Sequence, residues 1–466
     1  MNPGSTRGIA VVDIGATNSK VVLFDRNLRE IAYRKSETLH RQGPPYKHLD
    51  HQRIVEFLGV ALNELDALLP VDVIAVSAFG ATLACVDGSG DLAMPVMDYL
   101  AEPPSEIVDG YARIAPPFSE VFCNIAPVSL TLGKQLYWLE TSFPNEFANI
   151  LAIMPWGQYL SFRLGGRETT EISALGVFSQ LLDVLGGEFS SLVKARRWEK
   201  LFAPLARAWD VIGELRQELL GPAFRGRGQI LCGIHDSNAN YLRYLAAGLG
   251  PFALLSTGTM IIGFESQTEL PSLDPEKDTF SFTDIYGRPV GCCRFFGGRE
   301  FETLLAGAPA GAASLAEVEG LVAKRVFALP SFSDTGGPVP GSGNRGRIEG
   351  PLDEAPSQRA SLATLYAALM VSELLNALGS TSDIIVDGPF ARNDLFCELL
   401  AGMRSEQRVF SSLLQEATAA GAAVLALIGD AGALPRLPLE LKEHRPAAIA
   451  GIAAYRTLWH SKARAI

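Results

Sequence analysis

The sequence predicts a two-lobed α/β protein with a central cleft. Two stretches, residues 9–24 and 252–264, each contain an apolar run, a short polar turn and a second apolar run, which is the pattern of two strands joined by a tight turn. Between and after these stretches, strand-like and helix-like segments alternate, as in α/β folds. The chain has 466 residues, of which 48% are hydrophobic, so it is long enough for two domains with separate cores.

The lobe boundary is predicted at the short AAGLG segment, residues 246–250, that precedes the second strand pair. It divides the chain into lobes of residues 1–247 and 248–466. Local patterns predict further elements: strands at 73–77, 229–231 and 383–386, helices at 134–139, 150–164, 362–378 and 416–428, and a long surface loop at 330–350.

Charge and cysteine content restrict the class of partner and the compartment. Lys and Arg number 40 against 51 Asp and Glu, and the net charge of −11 argues against nucleic acid or an anionic membrane as the main partner. The six cysteines form no C-x-x-C pair, which indicates reduced thiols in a chain of this size. The sequence shows neither a signal-peptide core nor an apolar run long enough for a membrane span, so we predict a cytoplasmic protein without a membrane partner.

The strongest motif lies in the first strand pair. Gly15 permits a tight turn, and the turn's backbone N–H groups up to Asn18, with the hydroxyl of Thr17, can surround an anion such as phosphate. Asp13, at the end of the first strand, is placed to hold Mg²⁺, usually through water, and Lys20 can neutralise phosphate charge. The alternative is an ordinary hairpin with a polar turn.

A second small polar turn follows at mid-chain. Gly258 and Thr259 lie between two apolar runs, within the segment Ser-Thr-Gly-Thr. If each lobe contributes one such turn, the two turns can hold a triphosphate from both sides. Turns of this composition are also common without a ligand, so the prediction depends on the pairing of this turn with the first.

A third motif is the segment CGIHDSN at residues 232–238, which follows an apolar run and precedes a helical pattern. Asp236 is therefore predicted at a strand-to-helix junction facing the cleft, where a carboxylate can accept the proton of an attacking hydroxyl. The alternative is an aspartate that caps the helix. His235 is predicted to be structural or to orient the substrate, because no His or Cys cluster surrounds it.

A fourth motif is the turn DGPFARN at residues 387–393, between a predicted strand and a predicted helix. Its small residues can accept a flat adenosine group, and the alternative is a plain connection between strand and helix. No P-loop sequence G-x-x-x-x-G-K-[ST] is present. The G-x-G-x-x-G match at 341–346 does not follow a strand, so it does not indicate a dinucleotide site.

The order of these four motifs, followed by the Ala-rich segment 416–426, resembles the FGGY carbohydrate kinases over nearly the whole chain. The resemblance implies the actin-like (ribonuclease H-like) ATPase fold, with the sugar and the catalytic aspartate on the first lobe, the nucleotide on the second, and ATP and Mg²⁺ as cofactors. It also implies individual roles: Asp236 as catalytic base, Asp13 and Asp236 near Mg²⁺, Thr17 and Thr259 at the phosphates, and Gly388 and Asn393 beside the adenosine, with Pro389 in the same turn.

Within the family, residues 233–237 and 255–259 resemble the rhamnulokinase and fuculokinase branch. The resemblance implies an acceptor site made of Ala78, Phe79, Gly80, Asp98, His235 and Asp236. The chain departs from that branch at Met260, where Trp is usual, at Thr82, which replaces an acidic residue, and after Asp98, where no arginine follows. Fewer charged groups favour a neutral sugar, and Phe79 with Leu83 can supply an apolar wall for the methyl group of a deoxy sugar.

The predicted reaction is ATP-dependent phosphorylation of a small sugar, with L-fuculose or L-rhamnulose as the favoured ketoses. Another ketose, a polyol or a sugar acid is the alternative within kinases, such as xylulose, ribulose, glycerol or gluconate. An actin-like ATP-binding sensor or scaffold is the alternative from another class, and such a protein would need no proton acceptor at Asp236. The expected partners are the sugar and ATP, and a homodimer is a possible assembly.

Overall fold

The computed structural model describes residues 7–353, 355–414 and 416–465, so the first six residues of the predicted lobe 1–247 lie outside the described residues. Two compact units make up the chain. They comprise Met1–Gly248, Ser281–Pro289 and Glu416–Pro438 for the first unit, and Leu249–Phe280, Val290–Gln415 and Leu439–Ile466 for the second. Two segments from beyond residue 248 thus belong to the first unit, whereas the sequence predicted two continuous lobes.

Strands and helices alternate along much of the described chain. The strands are β1 Gly8–Ile14, β2 Asn18–Phe24, β3 Glu30–Glu37, β4 His40–Arg41, β5 His48–Leu49, β6 Val71–Ala78, β7 Leu83–Val86, β8 Ala152–Pro155, β9 Leu182–Asp183, β10 Glu188–Phe189, β11 Val211–Glu214, β12 Gln229–Leu231, β13 Ile234–His235, β14 Phe252–Thr257, β15 Ile261–Glu265, β16 Thr279–Thr283, β17 Pro289–Phe295, β18 Phe327–Leu329, β19 Arg347–Glu349, β20 Asp383–Asp387, β21 Val409–Ser412 and β22 Leu441–His444.

The α-helices are α1 His51–Asp66, α2 Ser105–Ala112, α3 Phe118–Val121, α4 Leu132–Ser142, α5 Pro144–Phe147, α6 Trp156–Leu164, α7 Ile172–Leu175, α8 Ser191–Arg196, α9 Asp236–Leu245, α10 Gly297–Leu305, α11 Leu315–Lys324, α12 Pro356–Ala377, α13 Asp394–Met403, α14 Ala417–Val424 and α15 Ile452–Arg464. Short 3₁₀ helices lie at Trp198–Leu201, Gln217–Leu219, Leu270–Ser272, Pro275–Lys277, Ala310–Ala312, Pro389–Arg392 and Leu425–Leu427.

The sheet of the first unit has the strand order β11-β12-β6-β1-β2-β3, and β13 also pairs with β6. β1 is parallel to β6 and antiparallel to β2, which is antiparallel to β3. Alternate residues of β1 enter two different cores: Ala10 and Val12 pack on the side of α1 and α6, and Ile9 and Val11 on the side of α9 and α14. Coverage of both faces explains why the central strands β1 and β6 are nearly continuous apolar runs.

The sheet of the second unit has the order β16-β17-β15-β14-β20-β21-β22. β14 is antiparallel to β15 and parallel to β20, β15 is antiparallel to β17, and β20 is parallel to β21. The strands β17-β15-β14-β20-β21 therefore repeat the order and directions of β3-β2-β1-β6-β12. The two strand–turn–strand units that the sequence predicts occupy equivalent positions in the two sheets, and so do the turns within them.

Two predicted elements differ from the structure. Residues 150–164 do not form one helix, because Ala152–Pro155 pairs as a strand with β7 and the helix begins at Trp156. Proline cannot donate a backbone hydrogen bond, so position 155 suits the junction between strand and helix. Residues 330–350 are not a surface loop throughout, since polar side chains such as Ser331 are fully buried.

The apolar composition of the chain is used mainly for internal packing. All six cysteines are buried free thiols, in agreement with the predicted reduced state. One described helix, α12, is long and apolar enough to cross a membrane by length and composition, but most of its apolar stretch is buried in the structure. Such burial is typical of a core helix.

Helices α9 and α14 pack so closely that their backbones touch. A Cβ atom added at Gly421, within α14, would lie 1.8 Å from the carbonyl oxygen of Ala239 in α9. Because α9 begins at Asp236, this contact fixes the helix that carries the predicted catalytic base.

Gly421→Ala is expected to lower the free energy of unfolding by about 1–3 kcal/mol, because the added methyl group forces the two helices apart. Gly320→Ala is the matched control, since Gly320 lies inside α11 and an added Cβ there meets nothing within 4 Å. In the control, the free energy of unfolding is expected to rise by about 0.5–1 kcal/mol. Denaturant unfolding measures both variants, and shifts of the same sign would contradict the packing argument.

Candidate active site

The predicted first phosphate turn is a preformed loop between β1 and β2. The Gly15 N–H donates to the carbonyl oxygen of Asn18 at 2.9 Å, and the Thr38 hydroxyl donates to the carbonyl oxygen of Gly15 at 2.8 Å. The Thr17 side chain at the tip of the turn is exposed. The hydroxyl that the sequence assigned to phosphate binding is therefore accessible to a ligand.

Lys20, predicted to neutralise phosphate, is already paired. Its Nζ lies 2.7 Å and 3.1 Å from the two carboxylate oxygens of Glu416, which is 396 positions away in the chain. Glu416 directly precedes α14 and belongs to the first unit. Lys20 can therefore bind a phosphate only in competition with Glu416, a residue that the sequence assigned only to an Ala-rich helix.

Asp13 lies at the end of β1 in an acidic environment. Burial, then the charge of Asp236, then that of Glu416 raise the pKa of Asp13 to about 7. The ammonium group of Lys20 and the hydroxyl of Ser77 oppose this shift without cancelling it. A bound cation would relieve the repulsion, and carboxylates are the ligands that Mg²⁺ prefers. No three His, Cys, Asp or Glu side chains converge as a metal site within the described residues, so the magnesium assignment stays a prediction.

Asp236 is the first residue of α9, at the predicted strand-to-helix junction, and 30% of its side chain is exposed. The N-cap position is held by His235, so Asp236 is not the cap of this helix. Its Oδ1 accepts a hydrogen bond from the Ser237 N–H at 2.6 Å and lies 3.1 Å from Nε2 of His235. Burial lowers the pKa of His235, and the charge of Asp236 opposes this shift.

The predicted acceptor residues divide into exposed and buried groups. Gly80 and Asp236 retain accessible surface, and an added Cβ at Gly80 would lie 2.7 Å from Nε2 of His235. Ala78 and His235 are buried, and Phe79 is only 8% exposed. Phe79 lies largely within the core, so the expectation that its ring supplies an apolar wall for the acceptor stays a prediction.

Asp98 has a different environment from the predicted one. Its side chain is 1% exposed, its Oδ1 accepts from the Leu100 N–H, and its Oδ2 lies 2.7 Å from Nδ1 of His40 and 2.9 Å from Nζ of Lys47. Burial opposes ionisation, but these hydrogen bonds prevail and lower the pKa of Asp98 to about 2. Both oxygens already accept hydrogen bonds inside the first unit, and the predicted contact of Asp98 with a sugar stays a prediction. In the structure Asp98 holds His40 and Lys47.

Tyr99 is a residue that the sequence analysis missed. Its ring contacts Phe79 edge-on, with 5.5 Å between ring centroids, and it keeps more exposed surface than Phe79. Burial raises the pKa of its phenol, and the nearby charges of Asp98 and Asp236 raise it further. Tyr99 directly follows Asp98, which was predicted as an acceptor residue. Only this position next to Asp98 could have indicated Tyr99, because a single tyrosine carries no motif of its own.

The second unit contains a cavity of about 750 Å³ at the second predicted turn. It is lined by four of the predicted nucleotide residues, Gly258, Thr259, Pro389 and Asn393, and also by Arg299 of α10. The volume lies in the range of small-molecule sites. The structure thus brings together residues from positions 258 and 393 of the sequence.

Gly388 supports this cavity through the backbone. Its φ is 85°, and an added Cβ would lie 2.1 Å from the carbonyl oxygen of Thr257. The Phe390 N–H donates to the Thr257 hydroxyl at 3.1 Å, which holds the turn against β14. Gly388 is therefore required for the shape of the turn, and its contact with adenosine stays a prediction.

Comparisons with known proteins match both units. The N-terminal domain model of the FGGY family of carbohydrate kinases matches residues 9–239, and the FGGY C-terminal domain model matches residues 249–435. The crystal structure of a carbohydrate kinase from Novosphingobium aromaticivorans is 30% identical, covers 100% of this chain and 99% of that chain, and has a TM-score of 0.88.

More distant proteins agree in fold. A ligand-bound xylulose kinase from Lactobacillus acidophilus is 15% identical over 98% of this chain and 96% of that chain, with a TM-score of 0.78. L-fuculokinase from Escherichia coli (strain K12) is 24% identical over 217 residues, which span 45% of this chain and 46% of that relative. The matches to solved structures confirm the predicted two-domain, actin-like α/β fold. Two family models and a full-length relative lead to one conclusion: the chain belongs to the FGGY family of carbohydrate kinases.

Proposed function

We propose that this sugar kinase transfers the γ-phosphoryl group of ATP to a hydroxyl of a small neutral ketose, in the class of L-fuculose and L-rhamnulose. The observation that carries the proposal is the position of Asp236: a partly exposed carboxylate at the start of α9, next to the acidic environment of Asp13. The partial match to L-fuculokinase supports the choice of sugar class.

The two units have different tasks in this proposal. The first unit, essentially the predicted lobe 1–247, binds the sugar and supplies Asp236. The second unit, within the predicted lobe 248–466, binds the nucleotide in the cavity that Gly258 and Pro389 line. Thr17 and Thr259, each exposed on a turn, contact the phosphates. Such a reaction depends on positioning and charge stabilisation more than on covalent catalysis.

Asp236 acts as general base in the proposed reaction. Its carboxylate accepts the proton of the sugar hydroxyl that attacks the γ-phosphorus. His235, which packs beneath Gly80, holds the carboxylate in place at 3.1 Å. Asp13 and Asp236 would hold Mg²⁺, which neutralises phosphate charge when bound. The buried thiols are compatible with the proposed cytoplasmic location.

Asp13→Asn is expected to raise the melting temperature at pH 8 but to lower kcat. The pKa of Asp13 is raised from 3.8 to about 7 in the folded state, so the ionised carboxylate costs the wild type stability as pH rises from about 4 to 7. Asparagine carries no charge, so the variant's advantage grows over this range. Thermal unfolding at pH 5 and pH 8 measures it, with the exposed Asp109→Asn in α2 as control. An advantage that is equal at both pH values would contradict the prediction.

Tyr99→Phe is expected to raise KM for the sugar by about 2- to 12-fold with little change in KM for ATP, because a neutral hydrogen bond contributes about 0.5–1.5 kcal/mol. The variant keeps the ring contact with Phe79 and removes only the hydroxyl. Tyr33→Phe is the control, since Tyr33 is exposed on β3. Steady-state kinetics with each substrate varied measure the effect, and equal changes in both KM values would count against an acceptor contact.

The proposed sugar class is tested by side-by-side specificity constants. L-rhamnulose, L-fuculose, L-ribulose, D-xylulose, glycerol and gluconate are each assayed for ATP-dependent phosphorylation. We expect the highest kcat/KM for one of the two deoxy-ketoses, with related ketoses lower by roughly 10–200-fold. Preference for glycerol or gluconate would reject the sugar class and leave the kinase assignment in place.

A further inference from the structure

His40 lies between Asp98, which was predicted to contact the sugar, and the first phosphate turn, which was predicted to contact ATP. Its Nδ1 lies 2.7 Å from Oδ2 of Asp98, on the acceptor side. Its Nε2 lies 2.9 Å from the carbonyl oxygen of Ala16, in the first phosphate turn. His40 lies in the short strand β4 and belongs to none of the four sequence motifs.

Both partners of the ring can only accept hydrogen bonds. A backbone carbonyl oxygen has no proton to donate, and Asp98 is an ionised carboxylate, whose oxygens have only lone pairs. A neutral imidazole carries one N–H group and can satisfy one of these two acceptors, whereas an imidazolium carries two and can satisfy both.

We infer that His40 is a positioning residue, which as an imidazolium fixes the first phosphate turn to Asp98 and loses one of these two attachments when it deprotonates. The role in catalysis rests on the proposed function, because it assumes that residues 15–18 bind phosphate. The protonation state itself does not depend on that assumption.

The charged groups facing His40 are consistent with this inference. The hydrogen bond with Asp98 raises the pKa of His40, against burial and the positive charge of Lys47, while the Ala16 carbonyl and the charge of Asp98 add to the increase. Lys47 binds the same carboxylate oxygen at 2.9 Å, so two cations share Asp98. The link is complete at pH values below the pKa of His40 and is lost as pH rises through it.

A structural test that is independent of activity is the protonation state of the ring. The ¹⁵N chemical shifts of the histidine rings are recorded for the full-length protein between pH 5 and 9, and His40 is assigned from the spectrum of His40→Gln. We expect both nitrogens of His40 to be protonated at pH 6.5 and the titration midpoint to lie above 6.5. A single neutral tautomer at pH 6.5 would overturn the inference.

A kinetic test uses two histidines of the same hairpin. His48 makes one such contact, from Nδ1 to the carbonyl oxygen of Tyr46 at 2.8 Å, which a neutral ring can form. His40→Gln is expected to lower kcat about 10–100-fold, since small displacements of reacting groups lower rates by factors of that order. In the wild type, kcat is expected to decline at alkaline pH as His40 loses its proton. His40→Gln should not show this decline. His48→Gln is expected to keep the wild-type profile. His40→Gln with the wild-type profile would reject the positioning role.

The two possible failures can be separated. If the best substrate is not a ketose, the pH profiles of the wild type, His40→Gln and His48→Gln are compared with the substrate that is phosphorylated. The role of His40 can therefore be tested even if the proposed sugar class is wrong. Thermal unfolding of both glutamine variants shows whether a loss of kcat follows from a loss of fold. A fall in kcat that only parallels a fall in melting temperature would reject positioning in favour of a structural role.

Discussion

Asp236→Asn is expected to lower kcat roughly 10²–10⁴-fold while the protein stays folded and still binds ATP. Asparagine keeps the shape of the side chain and the contact with Ser237 but cannot take the proton of the attacking hydroxyl. The helix should be maintained, because His235 occupies the N-cap position and Asp236 does not. Single-turnover kinetics with saturating sugar and ATP measure the chemical step.

The control for Asp236→Asn is Glu106→Gln, which removes an exposed carboxylate from the first turn of α2 in the same unit. It should leave kcat unchanged, because it removes only a charge at a helix terminus. Such a charge contributes about 0.3–1 kcal/mol to helix stability. Near-normal turnover of Asp236→Asn would mean that the carboxylate is not the general base. If turnover is lost, ATP binding by calorimetry distinguishes a folded variant that lacks the base from an unfolded one.

Gly258→Val is expected to raise KM for ATP by about 10- to 100-fold without lowering the free energy of unfolding. An added Cβ at Gly258 meets only the carbonyl oxygen of Met260, at 3.7 Å, so the valine occupies space that lines the cavity of the second unit. Forcing extra methyl groups into a filled site costs about 1–3 kcal/mol, which is the basis of the expected change in KM. Steady-state kinetics with ATP varied and denaturant unfolding give the two quantities.

Gly388→Ala is the contrasting variant. Its positive φ and the 2.1 Å distance from an added Cβ to the carbonyl oxygen of Thr257 predict loss of stability together with loss of ATP binding. If Gly258→Val and Gly388→Ala lower stability equally, the turn at Gly258 is an ordinary hairpin turn and not a phosphate site.

The sequence predicted those features that depend on residues close together in the chain. The apolar runs around residues 9–24 and 252–264 predicted the paired strands, because a strand buried on both faces needs apolar side chains at successive positions. Asp236 was placed correctly at a strand-to-helix junction, since the run before it and the helical pattern after it are both continuous in sequence. The motif order also identified the family, because each motif lies within a few residues.

Tertiary structure decided what depends on partners distant in the chain. Ala152–Pro155 became a strand because β7 offers it a pairing edge, and no local pattern reveals that edge.

The electrostatics of the candidate site depend on tertiary contacts as well. The acidity of Asp13 is set partly by Glu416, and the two oxygens of Asp98 are occupied by groups that include His40 and Lys47. Sequence by itself determined the family, the strand pairs and the residue proposed as base. Burial and charge at each site residue were decided only by the fold, because both are sums over neighbours that the chain brings together from distant positions.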